Sequence, residues 1–217
     1  MQVVMFTCQR DIEKATLAVS TLPADWAVAW IVESKDADIK APDGVEVSVR
    51  DFKRGHNLIG SEAVLAIADI LLEYSRISGR VAKIDSDALI IDPSFLSQGD
   101  VSGMTHNRFL YAAYGMAYAL SQKAAERCVD TLKRHQAMGY EALAEDVAIT
   151  GAANQSDMVD GRLPLRSFWE TRHDGSFCPA GRVAIHCGSV LSASRDGPAV
   201  ATEMRRLIDE LKIQRRL

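Results

Sequence analysis

Two carboxylates stand one residue apart in Ala82-Lys83-Ile84-Asp85-Ser86-Asp87-Ala88-Leu89-Ile90-Ile91-Asp92, between two apolar, strand-like runs. Close like charges repel, and such flanks imply a largely buried segment where an ionised group is costly. Residues i and i+2 of an extended chain point to the same side, so Asp85 and Asp87 can converge on one point. A divalent cation there removes the repulsion. Mg2+ or Mn2+ suits the pair, because these ions take one or two carboxylates, several waters and phosphate oxygens in preference to a full protein cage. A cation so held can take up the charge of a leaving diphosphate. The competing reading is a strand-end turn, where Asp and Ser are ordinary residues. Cys8, Cys128, Cys178 and Cys187 form no Cys-x-x-Cys pair. Only Cys178 with His186-Cys187 hints at zinc, so the cysteines read as reduced thiols.

The elements around the acidic pair alternate. Gln2 to Cys8 reads as a strand, and Asp11 is placed to cap a helix whose apolar face is Ile12, Ala15, Val19 and Leu22. Trp26 to Val32 is a second apolar run, and Val45 to Val49 alternates with period two. Gly60-Ser61-Glu62 opens a helix reaching about Arg76, and a strand around Arg80 to Ile84 leads into Asp85. Alternating strands and helices predict an α/β fold with a mostly parallel central sheet flanked by helices. Ligands of such sheets sit outside the carboxyl ends of the strands, which puts Asp85 and Asp87 on a rim.

The second half is less regular. Phe109 to Leu120 reads as a buried strand interrupted at Gly115, and Ser121 caps a helix with Ala124, Ala125, Cys128, Val129 and Leu132 inward. A loop-rich region from Ala152 to Pro179 precedes a short strand, Val183-Ala184-Ile185, entering His186. The last helix starts near Gly197-Pro198, with Pro tolerated in its first turn. Val200, Met204, Leu207, Ile208 and Leu211 form its apolar stripe, and Arg205, Arg206 and Lys212 make a basic face open to solvent or to weak contact with anionic lipid.

With 217 residues, 47% hydrophobic and 25% charged, the chain fits one domain. A domain of that size buries roughly 70% of its unfolded surface and needs no disulfide or structural metal. A net charge of −4 argues against nucleic acid as a partner. No apolar run reaches membrane-spanning length, and Met1 to Arg10 contains no basic leader or cleavage site. These features predict a cytoplasmic protein without a transmembrane segment, with peripheral contact at the inner membrane face as an option.

Asp85-Ser86-Asp87, behind its strand–helix alternation, resembles the Asp-x-Asp region of GT-A fold glycosyltransferases. Three further segments keep the order of that superfamily. Phe52-Lys53-Arg54-Gly55-His56-Asn57-Leu58 leads into the helix before the acidic pair. Gly115-Met116-Ala117-Tyr118-Ala119-Leu120-Ser121 is similar to the Gly-x-x-Tyr-x-Leu-Ser segment of the β-1,3-galactosyltransferase-like and fringe-like group. Glu145-Asp146-Val147, followed by Gly151, is similar to that group's Glu-Asp-Val segment, which holds the catalytic base. The resemblance runs from Val3 to about His186. The chain departs from the group in having a single Asp-Ser-Asp where three acids often follow one another, and in a spacing to Gly151 one residue longer. It fits a small bacterial-type member better.

The resemblance implies a GT-A-like single domain over residues 1–217: a nucleotide-binding half over 1–100, an acceptor and catalytic half over 101–195, and a C-terminal helix over 196–217. It implies metal-dependent transfer of a hexosyl group from a nucleotide-sugar, commonly a UDP-sugar, to a hydroxyl of a glycan or other acceptor, with inversion. Asp87 would bind Mn2+ or Mg2+ directly, Asp85 would contact ribose or the metal through water, and His186 would add a further metal ligand. For His186 the alternative is a histidine hydrogen-bonded to backbone. Asp146 is the candidate general base, with Glu145 fixing the acceptor or orienting Asp146; otherwise the two acids simply favour a helix start. Thr7, Gln9, Arg10, Glu33 and Ser86 fall where this fold reads the nucleotide-sugar. Arg54 and His56, with Lys53, form a basic group on the expected phosphate side, and Lys83 stands beside the acidic pair. Trp169 and Tyr114 are candidates to stack on a sugar, or else core aromatics.

Three rivals remain. A haloacid dehalogenase-like phosphatase also uses Asp-x-Asp after a strand, but its usual Thr is Leu89 here. A nucleotidyltransferase shares the sheet and metal logic, but Thr7-Cys8-Gln9-Arg10 has no glycine for a phosphate loop. The third is a non-catalytic nucleotide- or glycan-binding relative.

Overall fold

The computed structural model describes residues 1–51, 61–105, 113–140, 144–154, 169–170, 184–187 and 197–214. Its first strand, β1 (Gln2–Phe6), is apolar on both faces: Val3 and Met5 enter one core cluster, Val4 and Phe6 the other. That double burial explains a continuous apolar run where a one-faced strand would alternate. A short 3-10 turn at Gln9–Asp11 leads into α1 (Ile12–Val19). Asp11 stands at the N-cap but makes no side-chain cap bond; it is buried and ion-paired to Lys14 at 2.9 Å. Then follow β2 (Ala27–Val32), β3 (Val45–Val49), α2 (Ser61–Ser78) and β4 (Arg80–Ile84).

Downstream come β5 (Ala88–Ile90), β6 (Val101–Thr105), β7 (Ala113–Ser121), α3 (Gln122–Ala137) and α4 (Glu145–Asn154). The chain continues through β8 (Trp169–Glu170), β9 (Ala184–His186) and α5 (Gly197–Gln214). Ser121 caps α3 as expected, accepting the Ala124 N–H at 3.1 Å.

The six-stranded sheet has the order β3-β2-β1-β4-β7-β6. β3, β2, β1 and β4 are mutually parallel, while β7 runs antiparallel to both β4 and β6. A second sheet, β5-β9-β8, is short. One face of the large sheet is covered by α2, α3 and α4, the other by α1, α5 and the small sheet. The mostly parallel α/β architecture is therefore present. The expected strand from Phe109 begins at Ala113 among the described residues, with Phe109 outside them, and Gly115 lies within β7 without interrupting it. The loop-rich region starts later than expected, because Ala152 to Asn154 belong to α4.

Candidate functional site

Strand alternation sends Val81 and Lys83 of β4 toward the α2–α3–α4 layer, and Ala82 and Ile84 to the other face. Lys83 is 5% exposed. A primary ammonium has three donors. Here Nζ donates to Asp85 Oδ1 at 2.5 Å and to the Gly115 carbonyl at 2.7 Å, and pairs with Glu145 Oε2 at 3.5 Å. It also lies 5.8 Å from the centroid of the Tyr118 ring, within reach of a cation–π contact. Burial alone would push the Lys83 pKa down, but Asp85 and Glu145 outweigh it and hold the group above its ordinary value. Lys83, expected beside the acidic pair as a nucleotide-sugar contact, is thus buried as a counter-ion to Asp85 and Glu145.

Asp85 to Ala88 is a turn and not extended chain, closed by the Ala88 N–H on the Asp85 carbonyl at 3.1 Å. The alternation rule therefore does not apply across the two carboxylates. Asp85 leans back to Lys83, with its side chain 33% exposed, while Asp87 is held at the small sheet by the Cys187 N–H on its carbonyl at 2.9 Å. Ser86 between them is buried. The register of β5 with β9 sets His186 opposite Ala88, one residue along from Asp87.

The second acidic pair starts α4. Glu145 is 7% exposed; its Oε1 accepts the Tyr118 hydroxyl and its Oε2 faces Lys83. Burial raises the Glu145 pKa against the opposing pull of Lys83 and Tyr118, and burial beside Glu145 lifts the Tyr118 phenol well above its usual range. Asp146 is half-buried and packs on the β7 backbone where Gly115 has no side chain: a Cβ there would fall 2.9 Å from Asp146 Oδ2. Thr150 ties the turn down, donating to the Asp146 carbonyl at 2.6 Å and accepting the Ala113 N–H at 2.8 Å. Because the Asp85 N–H bonds the Met116 carbonyl at 2.9 Å, Asp85 and Asp146 flank the same stretch of β7.

The remaining candidates lie along the same edge. Thr7 follows β1 with its N–H on the Ile31 carbonyl at 3.1 Å, and its buried hydroxyl has no hydrogen-bond partner among the described residues. The Gln9 N–H bonds Asp36 Oδ1 at 3.0 Å, joining the loops after β1 and β2. Arg10 is exposed and 3.7 Å from Asp11, and Glu33 pairs with Lys35 at 2.5 Å. With β1 between them, β2 and β4 are about 10 Å apart at ordinary strand spacing. Arg54 and His56, with Lys53, lie outside the described residues, as does Cys178.

Tyr118 and Gly115 stood in a quoted motif without a role. Their signals were a phenol flanked by alanines in an apolar strand, and a glycine within the same strand.

Among the described residues, no three His, Cys, Asp or Glu side chains gather to hold a metal. The donor set still fits Mg2+ or Mn2+, which need only one or two carboxylates beside waters and phosphate oxygens. Cys187 and Cys128 are buried thiols pushed up chiefly by burial, which fits the reduced reading. The basic face of α5 is largely engaged: Arg205 pairs with Glu13, and Arg206 with Glu203 and Glu210. Among the described residues no helix is long and apolar enough to cross a membrane. The chain matches no protein-family model and no curated protein sequence.

Proposed function

We propose that the chain is a metal-dependent glycosyltransferase with a GT-A-like single domain, moving a hexosyl group from a UDP-sugar to a hydroxyl acceptor with inversion. The observation that carries this reading is the gathering of Asp85 and Asp146 against one stretch of β7, with Asp87 two residues beyond Asp85 at the carboxyl end of a central parallel strand. That rim is where open α/β sheets bind ligands.

Asp87 and Asp85 would hold Mn2+ or Mg2+, with His186 next in register. The cation supplies positive charge toward the leaving diphosphate. Asp146 accepts the proton of the acceptor hydroxyl, and its half-exposed place over Gly115 suits a base that must meet substrate. Thr7, Gln9, Arg10 and Glu33 stand at the ends of β1 and β2 for the nucleotide, and the buried Thr7 hydroxyl is available to it. Lys83 serves inside the protein, holding Asp85. A cytoplasmic location belongs to this proposal; lipid contact does not, since Arg205 and Arg206 are engaged by acids.

The test is calorimetric titration of UDP into the protein with and without Mn2+, alongside Asp87→Ala. Binding that requires both Mn2+ and Asp87 supports the transferase. UDP binding in neither condition overturns it.

A further inference from the structure

Lys83, Tyr118 and Glu145 come from β4, β7 and α4 and meet in the core. Replacing a buried ion pair by apolar side chains of similar size is often neutral or stabilising, so such a cluster is poorly explained as a device for stability alone. Its connections suggest another purpose. One ammonium holds Asp85 and also the carbonyl of Gly115, the residue on which Asp146 rests. Glu145, whose two oxygens face Tyr118 and Lys83, is the immediate chain neighbour of Asp146 and fixes the first turn of α4.

We propose that Lys83, Tyr118 and Glu145 form a buried strut that sets Asp146 relative to Asp85, with Glu145 a positioning residue and not the proton acceptor. This rests on the transferase reading for what the positioning serves. Glu145 is sealed from any acceptor by its own burial and partners. Asp146, one residue on, is the group the strut presents. Tyr118 is the member whose removal is smallest, because Tyr118→Phe deletes one hydroxyl and keeps the ring beside Lys83.

The experiment compares Tyr118→Phe, Glu145→Gln and Asp146→Asn with the wild type, using Mn2+-UDP calorimetry and the hydrolysis of a panel of UDP-hexoses with water as acceptor. A displacement of the order of 1 Å at a reacting group costs up to roughly 100-fold, so Tyr118→Phe is expected to lower kcat by about 10- to 100-fold with donor KM and Mn2+-UDP affinity within about twofold. Glu145→Gln keeps measurable turnover, whereas Asp146→Asn falls to background. Wild-type kcat in Tyr118→Phe overturns the strut. So does an inactive Glu145→Gln beside an active Asp146→Asn.

Should the wild type neither bind Mn2+-UDP nor cleave any UDP-hexose, the transferase reading fails separately. Deuterium exchange then judges the strut. Faster exchange over residues 144–154 in Tyr118→Phe, with β1 and β2 unchanged, upholds it, and unchanged exchange there overturns it. If Tyr118→Phe does not fold, the same exchange comparison on Glu145→Gln decides.

Discussion

Gly115→Ala isolates the contact on which the proposed base rests. The added Cβ would lie 2.9 Å from Asp146 Oδ2 and 3.2 Å from its Cβ and Cγ, where ordinary contact begins at 3.4 Å. Rotating the carboxylate relieves the first clash but not that with Cβ, so the start of α4 must retreat by a few tenths of an ångström. Thr150 and Glu145 anchor that turn and oppose the movement. Overpacking costs typically about 1–3 kcal/mol, and the half-exposed Asp146 places this substitution near 1 kcal/mol. The catalytic loss is roughly 3- to 10-fold for a base displaced by such a distance, against up to roughly 100-fold for 1 Å. Gly79→Ala provides the matched control: at φ +76, with no atom within 4 Å, it strains the backbone before β4, at the opposite edge of the sheet. Its cost is about 1 kcal/mol with turnover unchanged. Thermal unfolding and UDP-hexose hydrolysis of both variants give the comparison. Equal turnover in Gly115→Ala and Gly79→Ala would refute the claim that the Gly115 contact positions Asp146.

Two further predictions concern the junction of β7 and α3. Ser121 accepts the Ala124 N–H at 3.1 Å and donates to Asp100 at 2.9 Å, so Ser121→Ala should cost about 1–2 kcal/mol in denaturant unfolding; a loss under about 0.3 kcal/mol would contradict this. Burial pushes the Asp100 carboxyl up, but Ser121 and Arg127 outweigh it and hold the pKa below the usual 3.8. A depressed carboxyl stabilises the fold above its unfolded pKa and loses that contribution as pH falls through the folded value, so Asp100→Asn should lose less stability than wild type on acidification below about pH 4. Parallel stability–pH curves for the two proteins would exclude the effect.

What was legible in the chain was what local pattern encodes. The doubly buried Val3–Phe6 run, the alternation in Val45–Val49 and the Ser121 cap each carry their own signature, and together they predicted the parallel half of the sheet. The direction of β7 did not show, because a strand's composition is the same whichever way it runs. β5 is three residues long and is strand-like in the sequence, but its pairing with the distant β9 is not legible there. At the site, Asp85 to Ala88 is a turn where the sequence reads as extended chain, so strand alternation does not decide where the two carboxylates point. The sequence sets Lys83 beside the acidic pair, but its burial is not legible there because Gly115 and Glu145 are remote in sequence. A charged residue is buried only where distant groups meet it, and spacing along one strand does not contain that information.

The two faces of the large sheet close at different times as the chain emerges during synthesis. The core under α2, α3 and α4 draws on residues from Val4 to Ala153. The opposite core, which holds Met5, Trp30 and Ile84, also includes Ala184, Ile185, Val200, Met204, Leu207 and Ile208 from late in the chain. A nascent chain that has just completed α4 therefore carries one sheet face packed by α2, α3 and α4 and another covered in part, by α1, β5, Phe95 and Leu96. Such exposed surface is what chaperones bind and what aggregation starts from. Vectorial folding makes α5 a cover added after the other described elements of that face, and the interval before it docks leaves more of the core open to misassembly.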